Sequence, residues 1–183
     1  MNKGILRAAF PAVCLMAALL GGCSTDADRK KALECPYAAI LAPTASLTVF
    51  QPGKEGDPNA ELYRVGISNI RADCVLDADN GTTDSTLELT FKATRMATGP
   101  AASHRVPYYV AVTLGEKVLA KNSFWVNFSF RDGETKTEFT DEVDSTHINL
   151  ENGKKPYDYG ILAGMQLTHA QLEYNKKMSR YAP

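Results

Sequence analysis

Three consecutive pieces of the chain decide its fold: PYYVAVTL (Pro107–Leu114), GEK (Gly115–Lys117) and VLAKNSFWVNFSF (Val118–Phe130). The outer two alternate at period two and the middle one is a short glycine-containing turn, so together they read as a β-hairpin. Tyr108, Val110, Val112 and Leu114 form the expected core face of its first strand. Val118, Ala120, Phe124, Val126, Phe128 and Phe130 form that of the second. Trp125 is out of phase with Phe124 and Val126, as Tyr109 is with its neighbours, so both are expected to point away from that core. An outward Trp and Tyr on adjacent strands read either as a partner surface, where such side chains are enriched, or as a seat for the end of the chain around Leu172 and Tyr174. The seat is the simpler expectation.

The same alternation continues on both sides of the hairpin. Leu87, Leu89, Phe91 and Ala93 alternate with Glu88, Thr90, Lys92 and Thr94, giving a strand with one dry and one wet face. Upstream, Tyr63, Val65 and Ile67 share one phase and Ile70, Ala72, Cys74 and Leu76 the other. A bulge near Ser68-Asn69, or a strand that changes sheets there, accounts for the switch. Tyr37–Leu41 and Ser46–Phe50 read as one strand broken around Pro43, Gln51–Ala60 as a Pro- and Gly-rich loop, and Asp77–Asp84 as a turn built on Asn80-Gly81. Downstream, Thr135–Leu150 is a polar strand with Phe139 and Val143 as its dry residues. Tyr157, Tyr159, Ile161, Ala163, Met165 and Leu167 alternate through a last strand. Helix is expected only after it, where Thr168 and Gln171 have the spacing of a capping box. About seven short strands imply an all-β chain: an immunoglobulin- or fibronectin-like β-sandwich with a short C-terminal helix, or alternatively a small β-barrel.

The N-terminus has a different character. Lys3 and Arg7 precede an apolar run, Ala8–Leu20, which ends in Leu20-Gly21-Gly22-Cys23. This is the pattern of a bacterial lipoprotein signal peptide, with Cys23 as the lipidated first residue of the mature chain. A membrane span is the rival reading, but the run is interrupted by Pro11 and falls short of the ~20 residues a bilayer requires. The expected organisation is therefore a signal peptide over residues 1–22, a polar flexible tether over 23–34, and one β-sandwich domain with its helix over 35–183.

Composition narrows the function classes. Lys3 and Arg7 leave with the signal, so 18 of the 20 basic side chains remain against 21 acidic ones, a net charge of −3. Nothing there supports nucleic-acid binding, which calls for a clustered basic excess. Of the four cysteines, Cys14 is discarded and Cys23 acylated, which leaves Cys35 and Cys74 as a disulfide in an oxidising compartment. The rival, a metal or redox pair, lacks a CxxC spacing or a nearby histidine.

Several stretches also resemble a known group. The lipobox Leu20–Cys23, Cys35-Pro36 with Ala38–Leu41, Pro107–Val112, Val118–Lys121, and Gln166-Leu167-Thr168 with Gln171–Asn175 together look like a family of uncharacterised lipoproteins of Gram-negative envelopes. The resemblance implies a secreted, lipidated, mostly β domain with no assigned reaction, and it transfers no catalytic residue.

Candidate chemistry is sparse. His104, His147 and His169 are scattered and lack ligand spacing. An EF-hand loop beginning at Asp77 would need glycine at its sixth position, which is Thr82, so Asp77, Asp79, Asn80 and Asp84 read as a turn with exposed acids. No G-x-S-x-G elbow accompanies the serines. The expectation is a non-enzymatic lipoprotein without cofactor or metal, anchored to the membrane at Cys23 on the periplasmic face of the outer membrane. Ser24, rather than an aspartate, follows the acylated cysteine. The domain would present a surface, Tyr109 and Trp125 included, to an envelope partner. The alternative is a binding module for a small apolar or lipid ligand, which would require an apolar pocket where the first reading requires a filled interior.

Overall fold

The structure, a computed structural model, describes residues 34–180. The expected signal peptide, the acylation site Cys23 and nearly all of the tether lie outside the described residues.

Eight strands form two four-stranded sheets. They are β1 (Tyr37–Ile40), β2 (Ser46–Phe50), β3 (Glu61–Asp77), β4 (Thr82–Arg95), β5 (Ala102–Leu114), β6 (Lys117–Phe130), β7 (Lys136–Asn149) and β8 (Tyr159–Met165), and one helix, α1 (His169–Lys177), follows. The front sheet has the order β1-β8-β5-β6 and the back sheet β2-β3-β4-β7. Neither closes on itself, so the molecule is a β-sandwich and not a barrel. Hairpin-connected β2, β3 and β4 lie side by side in the back sheet, a strand order of its own within the two-sheet architecture.

The alternation read from the sequence accounts for the core. Leu87, Leu89, Phe91 and Ala93 of β4 are buried, as are Val106, Tyr108, Val110 and Val112 of β5, and Tyr159, Ile161, Ala163 and Met165 of β8. Phe139 stacks on Phe91 at 5.3 Å and on Phe128 at 4.8 Å, so aromatic rings from both sheets meet. The Tyr108 hydroxyl crosses between sheets to donate to the Asp141 carboxylate at 2.8 Å. Burial and that hydrogen bond both push the Tyr108 phenol well above its ordinary pKa.

The phase change in β3 is a bulge, located between Ile67 and Asn69. The Asp77 turn is held by its own carboxylate, which accepts from the amides of Asp79 at 3.1 Å and Asn80 at 3.0 Å. The ladder of β5 and β6 runs from Ala102↔Phe130 to Leu114↔Lys117 and is in register as far as Val112↔Ala120. Cys35 and Cys74 form a disulfide with Cα atoms 5.8 Å apart, fastening the start of the domain to β3.

Three expectations need correction. The first strand is two strands in different sheets: Pro43 sits in a 3-10 turn (Ala42–Thr44) that carries the chain from β1, parallel to β8, across to β2, antiparallel to β3. Val118 and Ala120 are not core residues, and Val118 is 58% exposed. The ladder slips between Val112 and Thr113, leaving Leu119 unpaired, and one extra residue reverses the facing of what lies beyond it. Ala120 keeps the inward phase, but β6 is an edge strand and β7 is bulged across the gap, with Ser145 at φ 54°. That bulge also brings Ile148 inward, a buried residue of β7 beyond the expected Phe139 and Val143.

Helix α1 begins as its capping box requires. Thr168 Oγ1 accepts from the Gln171 amide at 3.3 Å, and Gln171 Oε1 accepts from the Thr168 amide at 2.9 Å. The helix lies against the back sheet, where Tyr174 meets Phe50 edge-on at 4.9 Å. Asn175 Nδ2 donates to the Ser46 carbonyl at 2.7 Å, and the buried Glu61 carboxylate accepts from the Tyr174 hydroxyl and, at 2.5 Å, from Arg180.

Candidate interaction face

Register across the front sheet shows what its outer surface carries. Because Val110 and Val112 point inward, Tyr109, Ala111 and Thr113 point outward. The ladder places Gly164, Leu162 and Gly160 beside them on β8, and Ser123, Lys121 and Val118 on β6. Tyr37 and Ala39 of β1 complete the rows opposite Gly160 and Leu162. Pro107 and Trp125 pair one row further along. The solvent side of an antiparallel sheet is ordinarily polar. Here the middle of the face is aliphatic and aromatic, and the polar rows Arg105↔Asn127 and Ser103↔Ser129 lie beyond Trp125.

Its charge is one-sided. The four front strands contain no Asp or Glu, and their cations are Arg105, Lys117 and Lys121. The four back strands hold nine acidic and five basic residues. Glu116 in the hairpin turn and Asp158 before β8 border the front face at one end.

The two aromatics expected here have different environments. Trp125 is 53% exposed, with the Arg105 guanidinium 4.7 Å from its ring centroid. Tyr109 points outward as expected, yet is only 6% exposed, which corrects its place on an open partner surface. Its hydroxyl is hydrogen-bonded to Thr44 Oγ1 at 2.8 Å and Lys121 Nζ lies 4.2 Å from its ring. Burial raises the phenol pKa. Gly164 makes this possible, since an added methyl there would collide with the Thr44 hydroxyl and the Tyr109 phenol. The expected seat for the C-terminal helix is also corrected. Because α1 packs on β2 through Phe50 and Ser46 and on the start of β3 through Glu61, Trp125 is not beneath it.

Exposure on this face is concentrated on the edge strands, at Tyr37, Val118, Leu119 and Trp125. The sequence contained a signal for the face that period-two reading passes over: between Glu88 and Asp132 the only acid is Glu116. The partnership of Thr44 with Tyr109, 65 positions apart, had no local signature.

Other candidates fall apart in space or chemistry. His104 lies inside, against Tyr63 at 4.4 Å, and burial lowers its pKa. His147 lies on the back outer face, where the Asp84 carboxylate accepts from its Nδ1 at 2.8 Å and raises its pKa. His169 opens α1. Among the described residues no three or more His, Cys, Asp or Glu are gathered as a metal would need. A groove of about 460 Å³ opens between the β6 and β7 edges, floored by Val110, Val112, Phe124 and Val143 and walled by Asn122 and Asp144. A wider hollow of about 620 Å³ on the back sheet is lined by Arg64, Lys92, Lys136 and Glu138.

No known protein family, curated protein or solved structure matches this chain.

Proposed function

We propose that this protein is a non-enzymatic lipoprotein of the cell envelope, tethered through an acylated Cys23 to the periplasmic face of the outer membrane, whose sandwich is a structural or interaction module. The observation that carries the reading is Leu20-Gly21-Gly22-Cys23 at the end of an apolar run preceded by Lys3 and Arg7. The Cys35–Cys74 disulfide suits the oxidising compartment such a signal leads to. Ser24 in place of aspartate favours the outer membrane. The apolar interior and an outer face bearing Trp125 favour surface presentation over internal chemistry. Feeding cells labelled palmitate tests the anchor. Label is expected in the wild-type chain and not in Cys23→Ser, and label retained by the variant would refute it.

A second reading, a binding module for a small apolar or lipid ligand, is favoured by the groove between the β6 and β7 edges, whose floor is apolar. Titration with a fluorescent fatty acid tests it: saturable binding lost in Phe124→Asp supports this reading, and absence of binding removes it.

A further inference from the structure

We propose that the outer face of the front sheet rests on an anionic lipid bilayer, with Trp125, Tyr37 and Val118 entering the interface and Arg105 and Lys121 facing the headgroups. The proposal deepens the lipid-anchor reading and rests on it.

Three observations converge. The first is charge complementarity. The front strands carry cations and no acid, whereas the back face would bring Asp84, Glu88, Glu138 and Glu142 against a negative surface. The second is side-chain type. Trp and Tyr have an apolar ring with a polar end and concentrate at membrane interfaces, and Trp125 and Tyr37 are about half exposed on the edge strands of this sheet. The third is where the chain leaves the domain. Residues 24–34 separate Cys23 from Cys35 and span at most about 40 Å when extended. Cys35 is fastened to Cys74, and Tyr37, two residues on, already belongs to the face. A bilayer holding Cys23 is therefore within reach of this face, and the tether raises its local concentration there. Protein partners read by charge would find the back sheet richer in both signs. An acid-free aromatic surface next to an acyl anchor suits lipid.

The test uses the single tryptophan of the chain, Trp125, as the reporter. The chain begins at residue 23 and carries Cys23→Ser, so no acyl group contributes, and the described core within residues 34–180 is untouched. Mixed phosphatidylcholine and phosphatidylglycerol vesicles are expected to shift Trp125 emission to the blue, and brominated acyl chains to quench it. Phosphatidylcholine alone should bind more weakly. The double variant Arg105→Glu with Lys121→Glu should weaken sedimentation with the mixed vesicles at least about tenfold, while Lys92→Glu with Lys136→Glu on the back face should leave it unchanged. No emission shift, or equal loss from both double variants, would overturn the proposal. A shift produced by envelope proteins and not by vesicles would overturn it in favour of a protein partner. Palmitate labelling of wild-type protein is read separately, so a failed anchor and a failed face are distinguishable.

Discussion

The two outer faces of this sandwich are made from the same kind of strand and differ in almost everything else. On the back face, Glu88, Lys92, Glu138 and Glu142 alternate with core residues, and Lys92 pairs with Glu138 at 3.5 Å. Both partners are well exposed, so the pair contributes little to stability and mainly keeps the surface hydrated. On the front face the corresponding positions are Pro107, Tyr109, Ala111, Leu162 and Trp125, with no acid among the strands. Tyr109 and Ala111 are themselves buried, so burial accounts for their apolar character, but Trp125, Val118 and Tyr37 stand exposed outside the shared core, and the hydrophobic effect that folds the molecule does not require them to be apolar. The composition of those three exposed positions is left for function to explain.

Substitutions on one side at a time separate these contributions. The largest effect should come from the staple that fixes the domain's start beside the front face. Cys74→Ser opens a link between residues 39 positions apart and should lower unfolding free energy by roughly 3 to 4 kcal/mol. Urea denaturation under oxidising conditions measures this, and an unchanged midpoint would mean the link adds nothing. Gly164→Ala should cost about 1 to 3 kcal/mol, because the methyl overpacks the Thr44 and Tyr109 contact. A neutral result would show that Tyr109 is free to swing outward. Trp125→Ala should cost no more than about 1 kcal/mol, the stack on Arg105 being at the surface. A loss three times that size would make Trp125 a packing residue and remove the contrast.

The smallest effects are in pH dependence. His104 has its folded pKa lowered by burial, so its contribution is lost as pH falls through the ordinary histidine range toward the lowered value. His147 has its folded pKa raised by Asp84, so its contribution is complete below the unfolded value and lost as pH rises through the raised one. Proton NMR should find His147 titrating above His104, and Asp84→Asn should bring His147 back toward the ordinary range. Coincident titrations would contradict both environments.

What was legible in the sequence was whatever depends on local spacing. The β5 and β6 hairpin, the bulge near Ser68, the Asp77 turn, the Thr168 cap and the pairing of Cys35 with Cys74 all follow from residues close in sequence or from simple elimination. Features set by tertiary geometry were not. The crossing of the chain at Pro43 between sheets, the slip at Leu119 that turns Val118 outward, and the choice of α1 to cover β2 depend on contacts between distant segments. The candidate face was half legible. Period two placed Trp125 and Tyr109 outside the core, but only the fold shows that Thr44 has already closed over Tyr109.

Paired cysteine labelling in opened native envelopes reports whether the front face is covered while the back face is free. Ser123→Cys places a thiol on the outer face of β6 and Thr140→Cys places one on the outer face of β7, both at exposed positions. The account predicts that a bulky maleimide reacts readily at position 140 and poorly at 123 while the protein is anchored, and equally at both after detergent release. Equal reactivity in the envelope would contradict an occupied front face.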